Sequence, residues 1–397
     1  MRLFVVGADP HRERAFSTWP RAGLSVTLAD GAGAGGYEHL VDRFHPVEVR
    51  DESADVEALT RMAAGHDGVT TLAEGSLVTA ATVARELGLP GPGVHAARVA
   101  RSKARQREVG RRHGLPGPRH SAVTGPDDLV RFFAAGHAAA VLKPLDSAGS
   151  TAVFAVRTAE EALDRWPRVQ AASPSRTGIV EEYLPGAEAS VEAVVHRGEV
   201  VFASLTRKQT GGPTGFLEVA HTTALADRPD AAVSALVRDL VAAWRVESAV
   251  LHVEVKTDGP RPVPLEATVR PAGDFITELV AAVHGRDLYL DQACLALGLP
   301  LPAERQAPAR RAEVRFLLAS GTVRRTVAPV EVLAGRPDVR NVRQLAPAGC
   351  RLPPLTANRA RAGYALGWST DDGESLTGQL RATISDLGTS MGTPDQT

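Results

Sequence analysis

Cysteine is almost absent. Cys294 and Cys350 are the only two in 397 residues, too few for a disulfide framework and without the paired spacing of a zinc site. The chain therefore reads as one kept reduced, and a cytoplasmic location is expected. Long apolar runs are missing as well. The opening Met-Arg-Leu-Phe-Val-Val-Gly-Ala-Asp is shorter than a signal-peptide core, and no stretch approaches the ~18 apolar residues that span a bilayer. Neither secretion nor a membrane partner is expected. Neither sign of charge is in excess: 45 basic residues face 46 acidic ones, for a net charge of -1, which argues against a nucleic-acid partner. Lysine is the scarcest of the charged types. Only Lys103, Lys143, Lys208 and Lys256 occur, and the other 41 basic residues are arginine. A GC-rich coding background explains the bias. Arginine serves wherever a solvated positive charge suffices, so lysine persists where a compact, flexible point charge is needed. The four lysines are site candidates before any motif is considered.

What is present is ordinary in bulk, with 44% hydrophobic and 23% charged residues. At roughly 100–200 residues per domain, the length allows two to four domains. The run Leu3 to Val6, a polar amphipathic stretch and Leu24 to Leu28 predict strand, helix, strand, the start of a parallel α/β sheet. The segment Gly7-Ala8-Asp9-Pro10-His11-Arg12 lacks the glycine spacing of a dinucleotide fingerprint. The glycine-rich stretch 31–36 is expected to be a flexible connection. Val69 to Leu72 predicts a buried strand, with Glu74 ahead of a helix over Leu77 to Leu87. Glu74 is either a substrate-orienting carboxylate at a strand end or an acid favoured by the helix dipole. Pro/Gly clusters at 89–93, 114–118 and 298–302 mark junctions, with one basic helix expected over Ala97 to Arg112. A strand pair is expected around Val314 to Val327, a helix over Glu374 to Leu387, and a disordered tail over Gly388 to Thr397.

The clearest chemical pattern lies between His252 and Arg270. Two alternating stretches, His252-Val-Glu254-Val-Lys256 and Leu265-Glu266-Ala-Thr268-Val-Arg270, flank a turn containing Asp258-Gly259-Pro260. Period-two alternation puts His252, Glu254 and Lys256 on one face of the first strand and Glu266, Thr268 and Arg270 on one face of the next. A hairpin centred near Pro260 sets Glu254 opposite Glu266. Two facing carboxylates repel unless a cation lies between them, and magnesium, which takes oxygen ligands, accounts for the pair. The alternative is a solvated hairpin whose charges pair with Lys256 and Arg270. A second piece is Lys143, the only charge on an apolar strand that runs into Asp146-Ser147-Ala-Gly149-Ser150-Thr151. Such a loop can fold over phosphates with N–H groups and hydroxyls. It is not a Walker loop, and the same residues would serve in a plain hairpin turn. A third piece is Glu181-Glu182-Tyr183-Leu184-Pro185-Gly186-Ala-Glu188-Ala-Ser190-Val-Glu192, a strand, a bend and a second strand. The bend can present backbone groups to a purine edge and Glu188 to ribose hydroxyls.

The ordered set Lys103, Lys143, small-residue loop, Glu-Glu-Tyr-Leu-Pro-Gly-x-Glu, His-x-Glu-x-Lys and Glu-x-Thr-x-Arg resembles the ATP-grasp ligases over roughly residues 1–300. Arg270-Pro-Ala-Gly273-Asp274-Phe-Ile276 and Gly285-Arg-Asp287-Leu look most like the carboxylate-amine ligase branch that includes the L-amino-acid (dipeptide) ligases. The resemblance implies an α/β (α+β ATP-grasp) fold: a Rossmann-like N-terminal domain over 1–95, a linker helix and lid over 96–185, a catalytic core over 186–300, a small C-terminal domain over 301–388 and a disordered tail over 389–397. It implies that Lys103 and Lys143 contact the phosphates of ATP, with Ser147, Gly149, Ser150 and Thr151 closing over them. Glu181 and the backbone of Glu182, Tyr183 and Leu184 would hold adenine, and Glu188 the ribose. Glu254, Glu266 and Thr268 would bind Mg2+, with Mn2+ the alternative, and Arg270 would stabilise the transferred phosphoryl group. Lys208-Gln-Thr-Gly-Gly-Pro-Thr-Gly-Phe-Leu-Glu218-Val-Ala-His221 resembles the amino-acid-ligase loop whose Glu and His face the substrates, although a structural histidine at His221 fits as well. Lys208 would sit beside the nucleotide.

One position departs from the family pattern: Thr268 stands where the family's metal-binding strand carries Asn. The implied activity is an ATP- and Mg-dependent ligase joining a carboxylate to an amine through an acyl phosphate, with small-molecule substrates and a homodimer as the default assembly. Two alternatives stay open. One is an ATP-grasp carboxylase or purine-pathway-type ligase with another acceptor, and the other, prompted by Thr268, is an ATP-binding protein without turnover.

Overall fold

The computed structural model describes residues 1–31, 36–259, 261–371 and 374–393. Most of the glycine-rich stretch 31–36, and Pro260 of the hairpin turn, lie outside the described residues. The chain begins with a four-stranded parallel sheet, in spatial order Arg43–Pro46, Ser25–Asp30, Arg2–Ala8 and Gly68–Leu72. Strand Arg2–Ala8 is apolar on both faces because both are covered. Leu3 and Val5 pack with Phe16 and Trp19 of helix Glu13–Arg21 and with Tyr289 and Ala293 of helix Leu288–Ala296. Phe4 and Val6 face the other way, onto Leu59, Ala80 and Val83 of helices Val56–Ala63 and Leu77–Glu86.

The single basic helix expected over Ala97 to Arg112 is two helices, Val94–Ala100 and Lys103–Arg112. Ser102 takes an extended conformation and its hydroxyl accepts from the Arg105 amide (3.4 Å). That N-cap restarts the helix at Lys103, whose side chain is buried. A four-stranded antiparallel sheet follows, in order His120–Val123, Gly178–Glu182, Ala140–Pro144 and Phe154–Val156. Helices Pro126–Ala134 and Ala159–Ala172 contribute Leu129, Phe132, Ala162 and Trp166 to its core.

The largest sheet has eight antiparallel strands, in order Val263–Thr268, Ala249–Lys256, Glu188–His196, Glu199–Gly211, Leu217–Ala224, Arg311–Leu317, Gly363–Ser369 and Val339–Gln344. Its alternation is the one expected. Leu251, Val253 and Val255 pack with Val191, Ala193 and Val195 on helix Ala231–Trp244, which leaves His252, Glu254 and Lys256 on the opposite face. The sheet crosses residue 300 without interruption, because Arg311–Leu317 pairs directly with Leu217–Ala224. The expected strand pair at Val314 to Val327 is one strand only. Beyond it, Thr322 bridges Arg351, and the true neighbours of Arg311–Leu317 are Leu217–Ala224 and Gly363–Ser369. The last helix runs over Glu374–Met391, so the tail expected from Gly388 is helical through Met391. Leu387 and Met391 are buried, and Arg325 Nε donates to the Ser390 carbonyl (2.9 Å). Residues 394–397 of that expected tail lie outside the described residues.

Candidate functional site

The three sheets surround a cavity of about 1130 Å³, room for a nucleotide together with smaller molecules. The hairpin Ala249–Thr268 forms one wall. Glu254 and Glu266 are direct cross-strand partners, and His252 pairs with Thr268. Each carboxylate carries a lysine: Lys103 Nζ donates to Glu266 Oε1 (2.8 Å) and to the Ser147 carbonyl (2.9 Å), and Lys208 Nζ reaches Glu254 and Glu218. The pairing with Lys256 and Arg270 that a solvated hairpin would need is not made. Lys256 bonds Glu188 (3.0 Å) and the Gly186 carbonyl (2.7 Å), and Arg270 bonds Glu74 (2.8 Å).

Charges alternate along this wall. His252 Nδ1 meets the fully buried Glu192 at 2.7 Å and its Nε2 lies 3.5 Å from Glu254. Burial would depress the imidazolium, but Glu192 and Glu254 outweigh it and raise His252 to about 9. Burial would likewise depress Lys208, and Glu218 and Glu254 raise it well above the usual range instead. Glu254 itself, pushed up by burial, is held below the carboxylate range by Lys208 and His252. Two register-paired carboxylates facing a cavity, each compensated by a lysine, make a donor set that fits a divalent cation with a preference for oxygen. Thr268, the third expected ligand, is tied elsewhere: its hydroxyl donates to Glu74 Oε2 (2.9 Å), the same oxygen that receives Arg270 Nε. Glu74 therefore orients Arg270.

The lid sheet supplies the second wall. Glu181 is buried, with Arg107 at 2.6 Å and Lys143 at 2.7 Å. Burial raises its carboxyl, yet these two cations hold it down to about 2. Its side chain thus fixes Lys143. Glu182, Tyr183 and Leu184 border the cavity, as do Glu188 and Lys256. The loop bearing Ser147, Gly149, Ser150 and Thr151 reaches over this space with Gly149, Ser150 and Ala152 at positive φ (65°, 53° and 51°). Gly149 adopts that conformation without strain, whereas Ser150 and Ala152 need surrounding contacts to hold it.

Those contacts come from the C-terminal segment. The Asn358 amide donates to the Gly149 carbonyl (3.0 Å), Ala152 N to the Thr356 carbonyl (3.4 Å) and Arg359 Nη1 to Thr151 Oγ1 (3.0 Å). Asn358 also clamps Glu218: its Oδ1 accepts from the Glu218 amide (3.1 Å) and its Nδ2 donates to Glu218 Oε2 (3.0 Å). Beside it, Arg361 donates to Asp274 and lies flat over Phe316, its guanidinium carbon 3.7 Å from the ring centre. Asp274 and Phe275 both hold left-handed backbone conformations, as does His11 across the same corner.

Every residue expected at the site borders the cavity except His221. That side chain is fully buried under Glu218, with Nε2 3.3 Å from Glu218 Oε2 and its ring edge-on to Phe316. Of the two readings of His221, its burial favours the structural one: of the pair, Glu218 borders the cavity and His221 does not. Sequence reasoning did not reach Asp9, His11, Arg12, Arg107, Asn358, Arg359 and Arg361. His252 was placed on the right strand face without a role. The arginines carried no signal against 41 of their kind.

Residues 137–278 match the ATP-grasp domain and residues 19–91 the ATP-grasp N-terminal domain. The chain is 30% identical to carnosine synthase 1 of Gallus gallus over 332 residues, which are 75% of this chain and 35% of that protein. It is 29% identical to dapdiamide A synthase of Enterobacter agglomerans, over 44% of this chain and 40% of that one. It is 25% identical to alanine–anticapsin ligase of Bacillus subtilis, over 67% and 64%. The chain thus spans between about a third and two thirds of the length of these relatives. Among solved structures, the L-amino acid ligase of Bacillus licheniformis superposes with a TM-score of 0.80 at 21% identity, covering 96% of each chain. The carboxyaminoimidazole ribonucleotide synthase of Aspergillus clavatus, solved with ATP, gives 0.76 at 17% over 98% of each. The chain thus carries an ATP-grasp domain behind an ATP-grasp N-terminal domain, in a fold that it shares with these solved structures.

Proposed function

We propose that the chain is an ATP- and Mg2+-dependent ligase that joins a carboxylate, from an amino acid, to an amine, with ADP and phosphate released. The observation that carries the proposal is the cross-strand pair Glu254–Glu266, each compensated by a lysine and both facing a cavity large enough for ATP and two small substrates. The amide-forming relatives support the choice of reaction.

ATP would lie between the lid and the hairpin, with adenine against Glu182 to Leu184, ribose at Glu188 and the phosphates under the 146–152 loop. Glu254 and Glu266 would hold the divalent cation, which when bound neutralises phosphate charge and polarises the P–O bonds. Lys103 and Lys143 add point charges at the phosphates, and Arg270, aimed by Glu74, covers the transferring group. A carboxylate oxygen attacks the γ-phosphorus, and the bond from that phosphorus to the bridging oxygen breaks, giving an acyl phosphate and ADP. The amine nitrogen then attacks the acyl carbon, and the C–O bond to phosphate breaks with loss of a proton from nitrogen. Water must be excluded throughout, because it would attack the same carbon.

The test is ADP release with Mg2+ and ATP against single and paired amino acids, with bicarbonate as control and mass spectrometry of the product. A pair-dependent signal with a product of the summed mass less water is expected. Release driven by bicarbonate alone would point to a carboxylase, and ATP binding without ADP under any acceptor to a protein without turnover.

A further inference from the structure

Asn358 belongs to neither matched domain, yet it touches both ends of the cavity. It is 6% exposed and sits at the start of a short 3-10 turn, Asn358–Ala360. Its backbone amide holds Gly149 of the loop above the phosphate space, and its side chain holds both the amide and the carboxylate of Glu218. Glu218 in turn shares Lys208 with Glu254. One residue therefore joins the loop that must close over ATP to the carboxylate at the substrate end. Arg359 adds a second tie to the loop through Thr151 (3.0 Å). Ser150 and Ala152, at positive φ, lose conformational support if these ties break.

We infer that Asn358 is a positioning residue that couples closure of the 146–152 loop to the orientation of Glu218, and so sets how much of the activated carboxylate reaches the amine rather than water. The inference rests on the ligase reading above. In the side reaction, water attacks the acyl carbon of the acyl phosphate and the C–O bond to phosphate breaks. Carboxylate, phosphate and a proton are returned, and one ATP is spent without an amide. A loop and a substrate end that close together suppress this step, and a pair that moves independently permits it.

The readout is the number of ADP molecules released per amide formed, with the pairs of L-amino acids that the wild type accepts. Asn358→Ala keeps the backbone bond to Gly149 and cuts both bonds to Glu218. With one hydrogen bond to a buried carboxylate and one from a buried backbone amide lost, the ratio is expected to rise about tenfold. Asn358→Asp has the same shape but sets a second carboxylate against Glu218, and its ratio is expected to rise at least as far. A side chain that merely filled space would make Asp the milder change. Arg359→Ala, at an exposed position, leaves the core intact and is expected to raise the ratio about two- to threefold, which keeps the test open if the Asn358 variants fail to fold. A wild-type ratio in all folded variants, with only slower turnover, overturns the inference. If the wild type forms no amide with any pair, the ligase reading fails, and hydrogen exchange decides the coupling separately. Mg-ATP should slow exchange in residues 146–152 of the wild type and slow it less in Arg359→Ala; equal protection in both overturns it.

Discussion

Two sides of the cavity, the hairpin and the C-terminal segment, are built by different means. On the hairpin side, strands Ala249–Lys256 and Val263–Thr268 pair antiparallel, with one irregularity just after Glu254, and their register decides that Glu254 meets Glu266. The C-terminal segment 345–361 is irregular, and its polar residues reach the cavity through individual contacts to distant parts of the chain: Asn358 to Glu218 and Gly149, Arg361 to Asp274. In the proposed mechanism the hairpin places charge for handling phosphate, and in the inference above the segment ties the 146–152 loop to Glu218. The difference teaches where robustness lies: a register pair survives most neighbouring changes, whereas a point contact is lost with one atom.

Changes on the hairpin should therefore strike chemistry, and changes on the segment should strike coupling and affinity. The largest effect is expected from Glu266→Ala, which removes half of the carboxylate pair and leaves Lys103 without its counter-charge, held by the Ser147 carbonyl. ADP release should fall about a thousandfold or more, and wild-type-like release would remove the hairpin from the chemistry.

Glu181→Gln tests the lid, which should behave as scaffold. It leaves Arg107 and Lys143 buried without their counter-charge, and chemical denaturation should show a loss of about 3 kcal/mol or more. The same pair predicts a pH signature. The folded-state carboxyl lies at about 2, below its ordinary 4.5, so its contribution is complete above pH 4.5 and is lost as pH falls towards 2. Stability of the wild type should decline over that window, and Glu181→Gln should flatten the decline.

On the C-terminal segment, Arg361→Met removes the partner of Asp274 and the cation over Phe316. The KM for one of the two small substrates should rise about tenfold while the KM for ATP is unchanged; a parallel rise in both would erase the contrast between the two sides. The smallest change is Thr268→Val. It removes one hydrogen bond to Glu74 while Arg270 still holds that carboxylate, and turnover should drop only about three- to fivefold. A thousandfold loss would make the Thr268 hydroxyl a metal ligand after all.

The parts that could be read from the sequence were those governed by local periodicity. Alternation placed His252, Glu254 and Lys256 on one face and set Glu254 opposite Glu266, because a strand's side-chain period is fixed. Apolar runs marked three of the four strands of the parallel sheet, since both faces are covered there, and missed the edge strand Arg43–Pro46, which is not an apolar run. The break in the basic helix was missed because Ser102 looks the same inside a helix as at its cap. Met391 was assigned to a disordered tail because its burial depends on packing against segments far away in sequence. Asn358 and Arg361 gave no local signal for the same reason: their partners lie 140 and 87 residues away. His221 matched a motif, but a motif does not tell which of two neighbouring polar groups points into the cavity.

The measurement that tests the central claim most directly is the fate of oxygen in the activated carboxylate. With the carboxylate substrate labelled in both oxygens with 18O, turnover through an acyl phosphate must place one label in the released inorganic phosphate and leave one in the amide carbonyl. Unlabelled phosphate alongside a labelled amide, or AMP in place of ADP, would contradict the account.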